Sequence, residues 1–443
     1  MNCPSVDELS VGQGWDEPCE VVADAAFKFT DELPYGHPPD PWDTSLTTLW
    51  NRMLWSLIYA ISPNIRQRVQ RIAINGTSAT MLISNWRGHP AAYTEPLTYN
   101  DTSARDALSE VAAIAPPNSP VLSATSTLTK ALWLYRRNWP PMQQATEQQA
   151  TEQQATPRNP YIAHQADFLA RYLHHKPGIT DYHNALKLGY DVKTRAYPDW
   201  LLRSPIGPWL PEVIAPGEVI GPVHPQIAEN AGFPRDCLVC AGTTDSIAAF
   251  LASGARFAGE AVTSLGSTLV IKLLSSEPID DQAFGIYSHR LGDLWLAGGA
   301  SNTGGAVLSQ FFSSEQLGEL SAQIDPTVPC NLNYYPLNRP GERFPINDPD
   351  YPPQLEPRPE CDRDFLYGLL SGIANIEANG YRKLQNLGAP VLQRVYTAGG
   401  GAQNKTWQAI RQQKLGVEVV AAEHTEAAFG TALLAIHGLN EFI

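Results

Sequence analysis

The stretch Leu238-Val-Cys-Ala-Gly-Thr-Thr-Asp245 joins an apolar run to a carboxylate. Leu238 to Ala241 reads as a buried strand that breaks at Gly242-Thr243-Thr244, and an Ala-rich helix follows from Ser246. Asp245 is thereby expected at the C-terminal end of a strand and on the cap of the next helix, where open α/β sheets gather ligands. A carboxylate in that position either caps the helix or takes a proton from an incoming hydroxyl. Two later segments of the chain favour the second role.

The first is Glu260 to Leu274, in which Val262–Leu265 and Leu269–Leu273 have strand composition and are joined by Gly266, Ser267 and Thr268. A hairpin turn of that kind offers backbone N–H groups and two hydroxyls to phosphate oxygens. It is followed by Leu296 to Ala306, a Gly-rich turn leading into a helix and containing Gly304. The second segment is Val395-Tyr-Thr-Ala-Gly-Gly-Gly-Ala-Gln-Asn-Lys-Thr-Trp407, where a strand ends in glycines and a helix is expected from about Asn404. Glycines let a nucleotide approach the backbone closely, and a helix N-terminus favours phosphate charge. The chain has neither a Gly-x4-Gly-Lys-Ser/Thr nor a Gly-x-Gly-x-x-Gly pattern, so it contains neither a P-loop nor a Rossmann fingerprint.

The order of these pieces resembles the C-terminal half of the FGGY carbohydrate kinases. Asp181–Tyr190, Ala241–Phe250, Ser264–Thr268 and Thr397–Asn404 are similar to the D-ribulose kinases of cyanobacteria and plants, a group also called xylulose kinase-like. The resemblance runs from about Trp15 to the C-terminus. It implies an α/β, two-domain, actin-like or ribonuclease H-like ATPase fold with the active site in the inter-domain cleft. It further implies that Asp245 is the general base that deprotonates the sugar hydroxyl attacking the γ-phosphate. By the same resemblance Gly266, Ser267, Thr268 and Gly304 serve the phosphates. Gly400, Gly401 and Asn404 serve the adenosine, with Trp407 one helical turn on, placed to lean on the purine. ATP and Mg2+ are the implied cofactors, and no metal ligand is assigned.

In the first half, Val69 to Leu82 reads as strand, turn and strand. Ser78 resembles the sugar-contacting serine of the ribulose kinases and joins Asp245 as an expected substrate-binding residue. Asn75 stands where that group has Asp, and an amide hydrogen-bonds without carrying the charge. Asp167 and Asn184 resemble a domain-framing pattern and equally suit caps and turns. The family opens with an Asp-x-Gly-Thr-Ser hairpin, whereas Met1 to Gly14 contains no such motif. On the resemblance, that first phosphate hairpin is expected to be missing, through a misplaced start or a real loss. Cys19–Phe29 is expected as an edge strand of the same sheet.

Composition fits this reading. A chain of 443 residues with 43% apolar content suits two domains. Its net charge of −14 argues against nucleic acid and anionic membrane as partners. Cysteines occur at 3, 19, 237, 240, 330 and 361. Cys237 and Cys240 form a single C-x2-C inside an apolar strand, which suits buried thiols better than zinc or redox chemistry. Free cysteines and the absence of a visible signal peptide point to the cytoplasm. The longest apolar run, Met53–Ile61, is about nine residues against roughly twenty for a spanning helix. It belongs to an expected helix from Ser45 to Ser62 with Leu46, Leu49, Met53, Leu57 and Ile61 on its apolar face.

The expected domains are 1–236, a sugar-binding domain, and 237–443, a nucleotide-binding domain whose last helix, Ala427–His437, packs on the first. Asn338–Pro359 is Pro-rich and reads as an ordered loop before a helix from Asp364 to Gly388. The functional reading is an ATP-dependent ketopentose kinase, with D-ribulose ahead of D-xylulose. A binding protein without turnover is the alternative of another class, and the sequence leaves the oligomeric state open.

Gln143–Thr156 repeats Ala-Thr-Glu-Gln-Gln and has too little apolar content to bury a core. Deleting 143–156 is expected to leave the melting temperature nearly unchanged, because surface insertions add little loop entropy. A differential scan that fell by many degrees would show the repeat to be packed.

Overall fold

The computed structural model describes residues 19–28, 45–86, 90–92, 94–138 and 160–439; the opening residues 1–14 and the repeat at 143–156 lie outside them. The chain forms two compact units, Met1–Ala248 with Thr431–Phe442, and Ala249–Gly430. The sequence places the boundary at 236/237. The division falls later because strand Leu238–Cys240 pairs on one side with Arg71–Ile72 and on the other with Val219–Pro222, so it belongs to the first unit's sheet.

In the first unit, Met81–Trp86 lies antiparallel between Pro90–Ala92 and Tyr161–His164. Met81, Ile83 and Ile162 are fully buried against Leu128, Ala131 and Leu132 of the helix Thr127–Asn138. The helix Leu46–Ala60 buries Thr47, Trp50 and Ser56, so the expected leucine face is only half-buried. Trp50 meets Phe168 edge-on, with ring centroids 6.5 Å apart. Cys19–Lys28 carries one β-bridge, at Glu20, and no ladder among the described residues, so the expected edge strand is not formed there.

The parallel pairing of the first unit contains an irregularity. Arg71 and Ile72 lie opposite Leu238 and Val239, while Asn75 and Gly76 lie opposite Thr243 and Thr244. From Ile72 to Asn75 is three residues and from Val239 to Thr243 is four, so one extra residue is inserted on the Cys240–Gly242 side. A Cβ on Gly242 would stand 1.8 Å from the Ile74 carbonyl oxygen, an approach only glycine permits.

The second unit is built on a six-stranded sheet in the order His289–Leu291, Leu294–Ser301, Leu269–Ser275, Glu260–Leu265, Arg394–Ala398, Glu418–Ala421. The first three neighbouring pairs are antiparallel and the last two parallel. Leu265, Leu269, Ile271 and Leu273 pack in one core with Phe365, Leu366, Leu369, Leu370, Ile373 and Ile376. These six recur at helical spacing along Asp362–Asn386, and their i, i+3, i+4 stripe is what fastens that helix to the sheet. Gly298 and Gly299, read from sequence as turn residues, lie inside strand Leu294–Ser301. There a Cβ would meet the Ile271 oxygen at 2.2 Å and the Phe344 ring at 2.6 Å. The Pro-rich span is ordered by bridges pairing Tyr335 with Gln354 and Glu342 with Asp348. Among the described residues no helix is long and apolar enough to cross a membrane.

Gly242→Ala is expected to cost about 1–3 kcal/mol, because the new methyl must displace backbone rather than a flexible side chain. Urea unfolding of the purified variant measures it. A midpoint equal to wild type would show that the strand pair can move apart at no cost.

Candidate active site

In the first unit the pairing of Thr243–Thr244 with Asn75–Gly76 brings the two Gly-Thr turns, Asn75-Gly-Thr-Ser78 and Gly242-Thr-Thr-Asp245, to the same end of one strand pair. Asp245 is the first residue of helix Asp245–Ala252, and its Oδ1 accepts from the Ser246 N–H at 2.6 Å. Its side chain is half-buried, as is Ser78. Thr243 is fixed behind it, with its Oγ1 2.7 Å from His183 Nδ1. The buried Thr244 hydroxyl has no hydrogen-bond partner.

The turn carrying Ser78 is held from three sides. Thr77 donates from its N–H at 2.9 Å and from its hydroxyl at 3.0 Å to the Gln165 side-chain oxygen. A Cβ on Gly76 would stand 2.8 Å from the Ala166 nitrogen, so the turn sits directly on the start of helix Gln165–His174. Ala79 takes a left-handed φ of 63°, and its carbonyl accepts from Lys130 Nζ at 3.0 Å. The same ammonium donates to the Thr98 carbonyl at 2.7 Å. Asn75, where the ribulose kinases have Asp, donates to the Thr431 hydroxyl at 2.7 Å and so ties the turn to the returning chain.

Asp167 and Asn184 act as cap and turn residues. The Asp167 carboxylate accepts from the His164 N–H at 3.1 Å, and Asn184 donates to Asp181 at 2.6 Å. Asp181 is buried, and burial, reinforced by Asp167, pushes its carboxyl up to about 7. Cys237 and Cys240 are buried free thiols. Burial, helped by Asp236, pushes Cys237 up to about 12, and burial also raises Cys240. Neither suits thiolate chemistry, which needs a lowered value.

In the second unit, Gly266–Thr268 forms the expected turn between the antiparallel strands Glu260–Leu265 and Leu269–Ser275, with Gly266 and Ser267 exposed. The Gly266 and Ser267 carbonyls accept from the Gly305 and Ala306 N–H groups at 2.8 and 3.1 Å. Gly304, at φ 146°, is pressed onto this turn, since a Cβ there would lie 2.7 Å from the Ser267 oxygen. Gly400 and Gly401 lie in a short 3-10 turn, and Asn404 caps helix Lys405–Leu415 by accepting from the Trp407 N–H at 2.9 Å. Gly399, at φ 84°, puts that turn against the Leu265 carbonyl, 2.7 Å from where a Cβ would be. The structure therefore brings Gly266, Ser267, Thr268, Gly304, Gly400 and Gly401 into one set of contacting turns. Trp407 is corrected: it is 3% exposed in the core and donates its indole N–H to the Leu370 carbonyl at 3.1 Å, leaving no face for a purine.

Lys130, Thr244 and Thr303 were not legible as buried neighbours of the candidate residues. Lys130 lies inside an ordinary helical pattern, and nothing in the sequence marks its contact with Ala79. Thr244 and Thr303 have hydroxyls that are buried without a partner, each one residue before a predicted site residue, and that adjacency was the available signal.

Residues 261–439 match the C-terminal domain of the FGGY family of carbohydrate kinases. The chain is 25% identical over 244 residues to the xylulose kinase of Bacillus subtilis (strain 168), covering 52% of this chain and 48% of that protein. It thus spans about half the length of the curated relative it matches. Among solved structures, ligand-bound xylulose kinase from Lactobacillus acidophilus superposes with a TM-score of 0.69 at 16% identity, over 88% of this chain and 80% of that one. Xylulose kinase from Rhodospirillum rubrum gives 0.68 at 19%, over 87% and 80%. Plasmodium falciparum glycerol kinase with ADP gives 0.70 at 17%, over 88% and 79%. The chain has the two-domain α/β fold of these sugar kinases.

Burial drives the Lys130 ammonium down to about 8, against the pull of Asp101 and with a push from Lys187. A lysine whose folded pKa is depressed releases its proton more readily when folded, so its contribution to stability grows as pH rises from about 8 to 10.5. Urea titrations of wild type and Lys130→Met across that window are expected to show wild type gaining relative to the variant. A constant difference would mean that Lys130 keeps an ordinary pKa.

Proposed function

We propose that this chain is an ATP-dependent carbohydrate kinase that phosphorylates a ketopentose, D-ribulose before D-xylulose, with Asp245 as general base. The observation that carries the reading is the register of Thr243–Thr244 on Asn75–Gly76, which puts Asp245 and Ser78 at one end of one strand pair. Phosphoryl transfer to an alcohol needs a positioned hydroxyl, a base for its proton and donors for the charge spreading over the transferred group. The half-buried Ser78 is suited to hydrogen-bonding a polyol. The Asp245 carboxylate is suited to accept the proton of the attacking hydroxyl as its oxygen bonds to the γ-phosphorus.

ATP, as its magnesium complex, is the second substrate. The Gly266–Thr268 turn offers two hydroxyls and backbone N–H groups to phosphate oxygens. The Gly400–Gly401 turn and the capped start of helix Lys405–Leu415 suit the adenosine end, with Trp407 supporting from the core rather than stacking. The FGGY-type C-terminal domain and the similarity to a xylulose kinase support a sugar as acceptor. The ribulose preference rests on Asn75-Gly-Thr-Ser78 and the other segments shared with the ribulose kinases. The free cysteines among the described residues fit a reducing cytoplasm.

Asp245→Asn is expected to lower kcat by about 10²–10⁴-fold with ketopentose while ATP affinity stays within a factor of about two, since only the base is lost. Coupled assays with D-ribulose and D-xylulose, alongside calorimetric ATP titration, measure both. Near wild-type turnover in the variant would leave Asp245 a helix cap and remove it from the chemistry.

A further inference from the structure

Among the described residues the second unit holds one fully buried ion pair, and its contacts reach both strands that lead into the glycine turns. Arg411, 1% exposed, donates from Nε to Glu377 Oε2 and from Nη2 to Glu377 Oε1, each at 2.7 Å. Its remaining arm, Nη1, donates to the Thr397 hydroxyl at 2.7 Å. On the other side Glu377 Oε1 accepts from the Thr263 hydroxyl at 2.5 Å, and that hydroxyl also lies 2.8 Å from the Tyr381 hydroxyl. Thr263 and Thr397 are direct partners in the parallel pair Glu260–Leu265 and Arg394–Ala398. Burial alone would pull the Arg411 pKa down; the Glu377 carboxylate overcomes this and raises it.

Each threonine sits just before a turn. Leu265 lies between Thr263 and the Gly266–Thr268 turn, and its carbonyl is the group against which Gly399, two residues after Thr397, is pressed. Leu265 also limits Gly401, where a Cβ would lie 2.6 Å from the Leu265 Cβ. Trp407, one turn before Arg411, fixes the same helix to Leu370. The pair therefore joins helix Asp362–Asn386, helix Lys405–Leu415 and the two strands that feed the turns.

We infer that Arg411 and Glu377 are positioning residues that set the Gly266–Thr268 turn against the Gly399–Asn404 turn, and with it the spacing between phosphate and nucleoside contacts; the nucleotide part of this rests on the proposed function. A pair that served stability alone would be replaceable, because well-packed apolar residues often substitute for buried ion pairs without loss. Removing one partner strands a buried charge, so both must be changed together.

The test uses the full chain with Glu377→Leu and Arg411→Met combined, and separately Arg411→Lys, which keeps the charge but loses the planar fork. Amide hydrogen exchange is read without nucleotide at Leu269, Gly305, Ala306 and Ala402, whose N–H groups are bonded within or beside the two turns. Both variants are expected to exchange at least about tenfold faster at these amides, with a melting temperature for the double variant near that of wild type. The KM for ATP is expected to rise about tenfold with the sugar KM unchanged. Wild-type exchange at all four amides in either folded variant overturns the inference. Faster exchange in a protein whose wild type phosphorylates no sugar would uphold the positioning role and reject the kinase reading instead.

Discussion

Everything at the candidate catalytic end of the first unit depends on one close contact between backbones. Gly242 lies against the Ile74 carbonyl, and the extra residue beside it shifts the strand register by one. Without that shift Thr243 and Thr244, the strand residues that lead into Asp245, would exchange faces, because side chains alternate along a strand. The shift also sets Thr243 beside Asn75, so the two Gly-Thr turns end level. The constraint is local, yet the helix cap, the Thr243–His183 contact and the placement of Ser78 all follow from it.

The second unit uses the same device. Its parallel strand pair, Glu260–Leu265 with Arg394–Ala398, is followed on both strands by glycine, and Gly399 lies against the Leu265 carbonyl as Gly242, ahead of Thr243–Thr244, lies against Ile74. In both units candidate residues stand just past the last paired residues of two parallel strands. The supports differ: threonine, glutamine and histidine contacts in the first unit, and a buried Arg411–Glu377 pair in the second. Lys130 adds a charge to the first, holding the left-handed Ala79 in place.

The strands and helices of the second unit were legible because their signals are local. The hairpin through Gly266–Thr268, the Asn404 cap and the long helix stripe follow from period and turn chemistry. What failed was tertiary. Trp407 reads equally as a surface platform or a core residue, and only the packing of its helix on Leu370 decides. Gly298 and Gly299 look like turn residues, but the Ile271 carbonyl of the neighbouring strand requires the first bare and Phe344, far along the chain, the second. The buried face of helix Leu46–Ala60 is centred on Trp50, which packs in one cluster with Leu82, Ala163 and Phe168. The bulge at Gly242 was invisible as well, since register depends on Ile72 and Asn75, which lie far away in sequence.

The central claim is that a phosphoryl group moves from ATP to a ketopentose hydroxyl. Incubation of the purified chain with ATP labelled at the γ-phosphorus, magnesium and D-ribulose or D-xylulose, followed by separation of the products, tests it directly. The account predicts label in a pentulose phosphate, more with D-ribulose than with D-xylulose. Label found only in ATP and inorganic phosphate with both sugars would contradict it.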